Sequence, residues 1–151
     1  MELFRITRSK YVADLSGKGA YERGGRWNST GQFALYTAQS RSLAMVESLV
    51  YLSNLPPEDE YKIAVLYLPD STFVQTVDIQ QLKSNWRNDQ KYTRQFGDEW
   101  LKNKASLLLR VPSVIVKAEY NYVVNPQHEL FSRLKLVDIE PFTFDGRLFN
   151  K

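Results

Sequence analysis

Apolar and β-branched residues gather along this chain in short runs. Residues 3–6 read as a first strand, and residues 33–37 as a strand that follows the turn Ser29-Thr30-Gly31. Residues 62–68, rich in Ile, Val and Leu, form a strand that stops at Pro69-Asp70. Residues 74–79, 107–111, 114–116 and 134–139 read as further strands. Pro112 removes a ladder donor, so the strand it ends is expected at a sheet edge, or bulged or broken there. Two longer stretches read as helices. Ser40 suits the N-cap of one that runs to about residue 52, and Asp89 that of another over residues 90–104, weakened by Gly97. Strands outnumber helices and do not alternate with them regularly. The pattern therefore predicts an α+β fold, a mixed sheet with flanking helices, rather than a doubly wound one.

The chain has 151 residues, enough for one domain with a real core and too few for two. The linker-like piece Asn54-Leu55-Pro56-Pro57-Glu58-Asp59-Glu60 is too short to separate domains, so residues 1–151 are expected to form a single one. A net charge of +3 favours anionic ligands but is too small for a protein that coats DNA. Cysteine is absent, which excludes disulfides, thiol catalysis and cysteine zinc sites. With one histidine, no metal is expected. The first residues lack the layout of a signal peptide, and no apolar run is long enough to span a bilayer. The expectation is a cytoplasmic protein.

Four of the seven glycines fall between positions 17 and 25, which builds a backbone-exposing loop rather than a core. Within Gly24-Gly25-Arg26-Trp27-Asn28, glycine amides can form an anion-binding concavity, and Arg26 supplies a planar fork for phosphate oxygens. An ordinary turn with a surface arginine is the plainer alternative. Gly17-x-Gly19 is not a dinucleotide fingerprint, and there is no Walker A sequence. Tyr36 ends a predicted strand, where a phenol can stack and hydrogen-bond at once, or can simply fill core.

Glu47 is the only acid on the helix that starts after Ser40. That helix is apolar nearly all round and is expected to be largely buried. A carboxylate there needs a partner. It is either a structural acid, ion-paired or emerging at the helix edge, or a functional group in a cleft. Ser113 lies in an apolar strand outside any G-x-S-x-G elbow, so its hydroxyl needs a partner and a serine-hydrolase reading fails. His128 is the lone histidine, and its usual role would be to pin a loop. Asn85-Trp86-Arg87-Asn88-Asp89-Gln90-Lys91-Tyr92-Thr93-Arg94 mixes cations and rings as nucleic-acid stacking surfaces do, although acids interrupt it.

Taken in order, several stretches resemble the RES domain family, named for its Arg, Glu and Ser. They are Phe4-Arg5-Ile6, Gly17-x-Gly19-Ala20, Gly24-Gly25-Arg26-Trp27-Asn28-x-x-Gly31, Leu35-Tyr36-Thr37-Ala38 and Leu43-Ala44-x-x-Glu47. Further along come Gly97-x-x-Trp100-Leu101, Val111-Pro112-Ser113 and Asn121-Tyr122-Val123-Val124-Asn125-Pro126-x-His128, so the likeness runs from about residue 4 to residue 148.

The resemblance implies a compact ADP-ribosyltransferase-like fold with a split sheet around an NAD cleft. It implies the toxin of a bacterial type II toxin–antitoxin pair, whose helix-turn-helix (Xre-type) antitoxin covers the active site and alone meets DNA. The implied activity is NAD⁺ degradation by hydrolysis or phosphorolysis, with ADP-ribosylation of a protein as the alternative. NAD⁺ is then substrate rather than cofactor, and inorganic phosphate is a possible acceptor. The family's catalytic positions fall on Arg26, Tyr36, Glu47 and Ser113. Arg5, Gly25, Trp27 and Asn28 are implied as further NAD contacts. Of a different class is a basic, aromatic module that binds nucleic acid.

Overall fold

The structure, a computed structural model, describes residues 1–149; the last two residues of the expected domain lie outside the described part. Seven strands and three α-helices follow one another as β1 (Glu2–Arg8), α1 (Lys18–Arg23), β2 (Leu35–Ala38), α2 (Arg41–Leu49), β3 (Tyr61–Tyr67), β4 (Val74–Thr76), α3 (Gln90–Asn103), β5 (Leu108–Pro112), β6 (Tyr120–Val124) and β7 (Lys135–Phe142). The strands form one mixed sheet in the order β4-β5-β6-β2-β1-β3-β7. Only β4 and β5 run parallel. The α+β expectation holds.

The sheet is split near its middle. β1 meets β3 over seven register pairs but meets β2 through a single one, Phe4 with Ala38. The four strands β4, β5, β6 and β2 therefore form one half, and β1, β3 and β7 the other. On one face Phe4, Ala38, Ile63 and Val65 pack beneath α2 with Leu43 and Ala44. On the same face Leu109, Val111 and Val123 pack beneath α3 with Trp86, Trp100 and Leu101. Leu3, Leu35, Ala64, Leu66, Leu108 and Val124 cover the opposite face together with Val12 and Leu134. Two helices thus stand side by side over one face, and β2 and β6 floor the space between them.

Local signals explain the two helices. Ser40 Oγ accepts the Leu43 N–H at 3.1 Å, and Asp89 Oδ1 accepts the Tyr92 N–H at 3.0 Å, as N-caps do. α2 is less buried than its composition predicts. It ends at Leu49, and Val50 and Tyr51 beyond it are 59% and 83% exposed. Only Leu43 and Ala44 within it are fully buried.

Other expectations change as well. The strand of residues 74–79 is only β4, after which Asp78 caps a 3-10 turn. Residues 114–116 form a bend, and β6, read in the sequence only as part of a motif, supplies the missing strand. α1 lies inside the glycine-rich loop. β5 is an interior strand despite Pro112. The Ser113 N–H donates to Glu119 O at the end of β6, so by alternation the proline nitrogen faces the other side. There β4 has already ended, opposite Arg110. Among the described residues no helix is long and apolar enough to cross a membrane.

Candidate active site

Glu47 sits on α2 above the floor of the split face. Its Oε1 accepts two hydrogen bonds of 2.7 Å, from Ser113 Oγ and from Asn121 Nδ2. Oε2 accepts none among the described residues, and no cationic side chain lies within ion-pair distance. The structural ion pair offered as one reading of this acid is therefore absent. Two neutral donors fix one oxygen and leave the charge unneutralised.

Ser113 is 2% exposed and its hydroxyl is fully engaged. It accepts from the Ile115 and Val116 N–H groups at 3.1 and 3.0 Å and donates to Glu47. A hydroxyl offers one proton and two lone pairs, so nothing is left for a ligand. Asn121 lies on β6 opposite both Ala38 and Val111, which puts it on the face beneath α2 and α3.

Tyr36 is a diagonal neighbour of Asn121 on that face, because it pairs with Val123. Its hydroxyl donates to Asn28 Oδ1 at 2.7 Å and accepts the Trp27 N–H at 2.9 Å. Burial pushes this phenol well above its ordinary pKa, while the bond from Trp27 and the charge of Arg94 pull the other way. It stays protonated as a structural donor, with its hydroxyl spent inside the fold and its ring half-buried. Gly25 abuts the hydroxyl: a Cβ there would stand 2.7 Å from Tyr36 Oη and 2.8 Å from Asn28 Oδ1.

Trp27 and Asn28 are not ligand contacts. Trp27 is 2% exposed and packs edge-on to Phe96, with ring centres 5.9 Å apart. Asn28 is fully buried, and its amide donates to the carbonyls of Ala20, Ser29 and Gln32. Both shape the loop that presents Arg26. Arg26 is half-buried, and its Nη1 donates to Arg87 O at 2.9 Å. Arg5 stands apart. By strand alternation it shares the face of Leu3, opposite Phe4, and its Nη1 reaches the carbonyls of Tyr11 and Asp14 at 3.3 and 3.2 Å.

The structure thus gathers Glu47, Ser113 and Tyr36 on one face, with the Gly25–Arg26 turn against Tyr36. It adds Asn121, for which sequence reasoning gave no role. Asn121 lay within a recognised stretch, but its bond to Glu47 depends on β6 pairing with β2. The stacking surface read into residues 85–94 loses a ring: Trp86 is buried, with Arg87 capping it 4.7 Å from the ring centre. His128 pins its loop as expected, its Nδ1 accepting the Leu130 N–H at 3.0 Å.

The RES domain family model matches residues 2–145. The chain belongs to the RES domain family. Among curated relatives, it is 39% identical to "Toxin Res" of Yersinia enterocolitica, over 98% of this chain and 99% of that one. It is 38% identical to "Toxin Res" of Pseudomonas putida, over 99% of this chain and 100% of the other. A "Prs ADP-ribosylating toxin" of Sphingobium sp. is 34% identical over 95% and 92% of the two chains. Among solved structures, a chain of the M. tuberculosis MbcT–MbcA toxin–antitoxin complex superposes with a TM-score of 0.74. It covers 94% of this RES domain at 22% identity, which shows a shared fold. The split in the sheet agrees with the split sheet that the resemblance implied.

Proposed function

We propose that this RES domain is the enzymatic toxin of a toxin–antitoxin pair and that it cleaves the nicotinamide–ribose bond of NAD⁺. The observation that carries this reading is Glu47, a carboxylate with one oxygen fixed by two neutral donors and no counter-ion. The bond between the pyridinium nitrogen and the ribose anomeric carbon breaks with its electron pair leaving on the ring nitrogen. Nicotinamide departs neutral, so no general acid is needed. Positive charge develops on the sugar, as in glycoside cleavage. A preorganised carboxylate stabilises that charge without reorganising during the reaction. Water or a phosphate oxygen then attacks the anomeric carbon; water gives up a proton as the new bond forms.

In this reading Glu47 Oε2 faces the ribose, while Ser113 and Asn121 hold Oε1 and act as positioning residues. Arg26 grips the pyrophosphate, and the ring of Tyr36 offers a stacking face. The antitoxin is the proposed macromolecular partner, and only through it does the toxin meet DNA. A second reading, transfer of ADP-ribose to a protein side chain, is favoured by the name of the Sphingobium relative.

The test is NMR of NAD⁺ incubated with antitoxin-free protein, with and without phosphate, beside Glu47→Gln. The expected result is nicotinamide release that the variant lowers at least about a hundredfold, the scale of lost electrostatic stabilisation. A phosphate-dependent product would select phosphorolysis. Full turnover by Glu47→Gln would sink the carboxylate's role. Folded wild type that leaves NAD⁺ intact, yet labels a lysate protein from it, would select the transferase.

A further inference from the structure

The loop that carries Arg26 is held from α3 by a residue outside every recognised stretch. Arg94 Nε donates to Gly25 O at 2.8 Å. Its Nη2 lies so close to Gly24 that a Cβ there would approach within 2.9 Å, and Gly24 has φ +73°. The guanidinium therefore lies along the Gly24–Gly25 backbone. Thr93 Oγ1 fixes the next peptide by donating to Arg26 O at 2.6 Å.

Arg26 and Arg94 flank the Gly24–Gly25 turn in the same state. Each guanidinium is anchored by a single hydrogen bond to a backbone carbonyl, of Arg87 and of Gly25 respectively. Among the described residues neither has a carboxylate within ion-pair distance. Asp98, one turn along α3 from Arg94, is engaged instead with the Ser29 N–H at 2.8 Å. Both arginines are only partly exposed. Arg94 also acts on the cleft, since its charge favours the ionised form of Tyr36. Two half-buried, unneutralised forks beside one glycine turn suit a ligand with two adjacent anionic groups.

We propose that Arg94 is a second substrate-binding cation of this site, which together with Arg26 across the Gly24–Gly25 turn recognises the diphosphate of the substrate. The proposal rests on the NAD⁺ reading above for the identity of that substrate. The alternative is that Arg94 only staples the loop.

Binding separates the two, and it does not depend on turnover. ADP-ribose carries the diphosphate and has no bond left to cleave, whereas nicotinamide riboside carries no phosphate. Calorimetry with both would compare wild type, Arg94→Gln and Arg94→Lys, with thermal melting to check folding. Arg94→Gln should weaken ADP-ribose about ten- to a hundredfold, the scale of a charge-assisted hydrogen bond, and leave the riboside within about twofold. Arg94→Lys keeps the charge and loses the Nε bond, and should recover a large part of the loss. Unchanged ADP-ribose affinity in Arg94→Gln, equal weakening of both ligands, or an Arg94→Lys that binds ADP-ribose no better than Arg94→Gln overturns the proposal, the last outcome leaving Arg94 as a staple of the loop. If Arg94→Gln does not fold, Arg94→Lys decides alone: with the charge kept and the Nε bond lost, ADP-ribose affinity must stay close to wild type, and its loss overturns the proposal. Selective loss of ADP-ribose binding in Arg94→Gln, beside a wild type that binds ADP-ribose but never cleaves NAD⁺, would sink the proposed reaction and keep Arg94.

Discussion

Ser113 shows how little freedom a well-placed hydroxyl can have. Two backbone N–H groups take its lone pairs, so its proton has one destination, Glu47. Ser113→Ala removes that donor and strips the acceptor from two amides. Its expected effect is a fall in kcat of about ten- to a hundredfold with KM nearly unchanged, since a positioning bond serves the transition state. Steady-state kinetics on NAD⁺ checks it; a raised KM at constant kcat would make Ser113 a binding residue. Asn121→Leu should act in the same direction through the same oxygen. Glu47 and Ser113 were legible in the sequence because an acid on an apolar helix and a hydroxyl in an apolar strand each demand a partner. That they partner each other was one role the family resemblance allowed for Ser113, not something the residues alone showed, because 66 residues separate them. Trp27 and Asn28 were misjudged as ligand contacts for the opposite reason: their motif is loop-like, but folding turns both inward.

Among the elements, α3 forms where its local signals put it despite one adverse residue. Gly97 weakens a helix by about 1 kcal/mol relative to alanine, which alone favours replacement. In the fold a Cβ at Gly97 would lie 1.6 Å from the Trp27 carbonyl oxygen, so this glycine lets α3 close onto the arginine-bearing loop. Gly97→Ala should therefore destabilise the protein by about 1–3 kcal/mol, the range of overpacking, despite the better propensity. Urea denaturation measures this, and a variant as stable as wild type would show that the loop and helix can separate freely. The caps at Ser40 and Asp89 were readable because a cap is a contact over three residues. β6 was not, because Asn121 within it and Asn125-Pro126 just after it are poor strand formers, and only pairing with β5 and β2 on either side makes it a strand. Pro112 does break the strand, as one reading of it allowed, but β5 is not an edge: whether the missing donor matters depends on where β4 ends.

Across the whole molecule, the two halves of the sheet share one register pair, yet α2 and α3 cover a common face. The site lies between α2 and α3, beside that seam, with Glu47 supplied by α2, Asn121 by β6, Ser113 from just past β5, Arg94 by α3 and Arg26 by the loop packed against it. Stability should be graded accordingly. Amides of Ile63 to Leu66 in β3 and of Leu108 and Leu109 in β5, buried and flanked by strands on both sides, should exchange slowest in native-state hydrogen exchange. Residues 50–60, where Val50, Tyr51 and Leu55 are exposed, should exchange orders of magnitude faster. Equal protection in the two regions would contradict this grading.

The sequence by itself determined the α+β class, the two capped helices, the main buried strands and, through motifs in order, the family. All of these rest on contacts a few residues long or on patterns that need no third dimension. Only the tertiary structure decided which residues act together. The bonds from Ser113 and Asn121 to Glu47, the seal of Tyr36 on Trp27 and Asn28, and the grip of Arg94 on Gly25 join segments that the chain keeps apart. A hydrogen bond forms only within about 3 Å, and the register and packing of distant segments set that distance here.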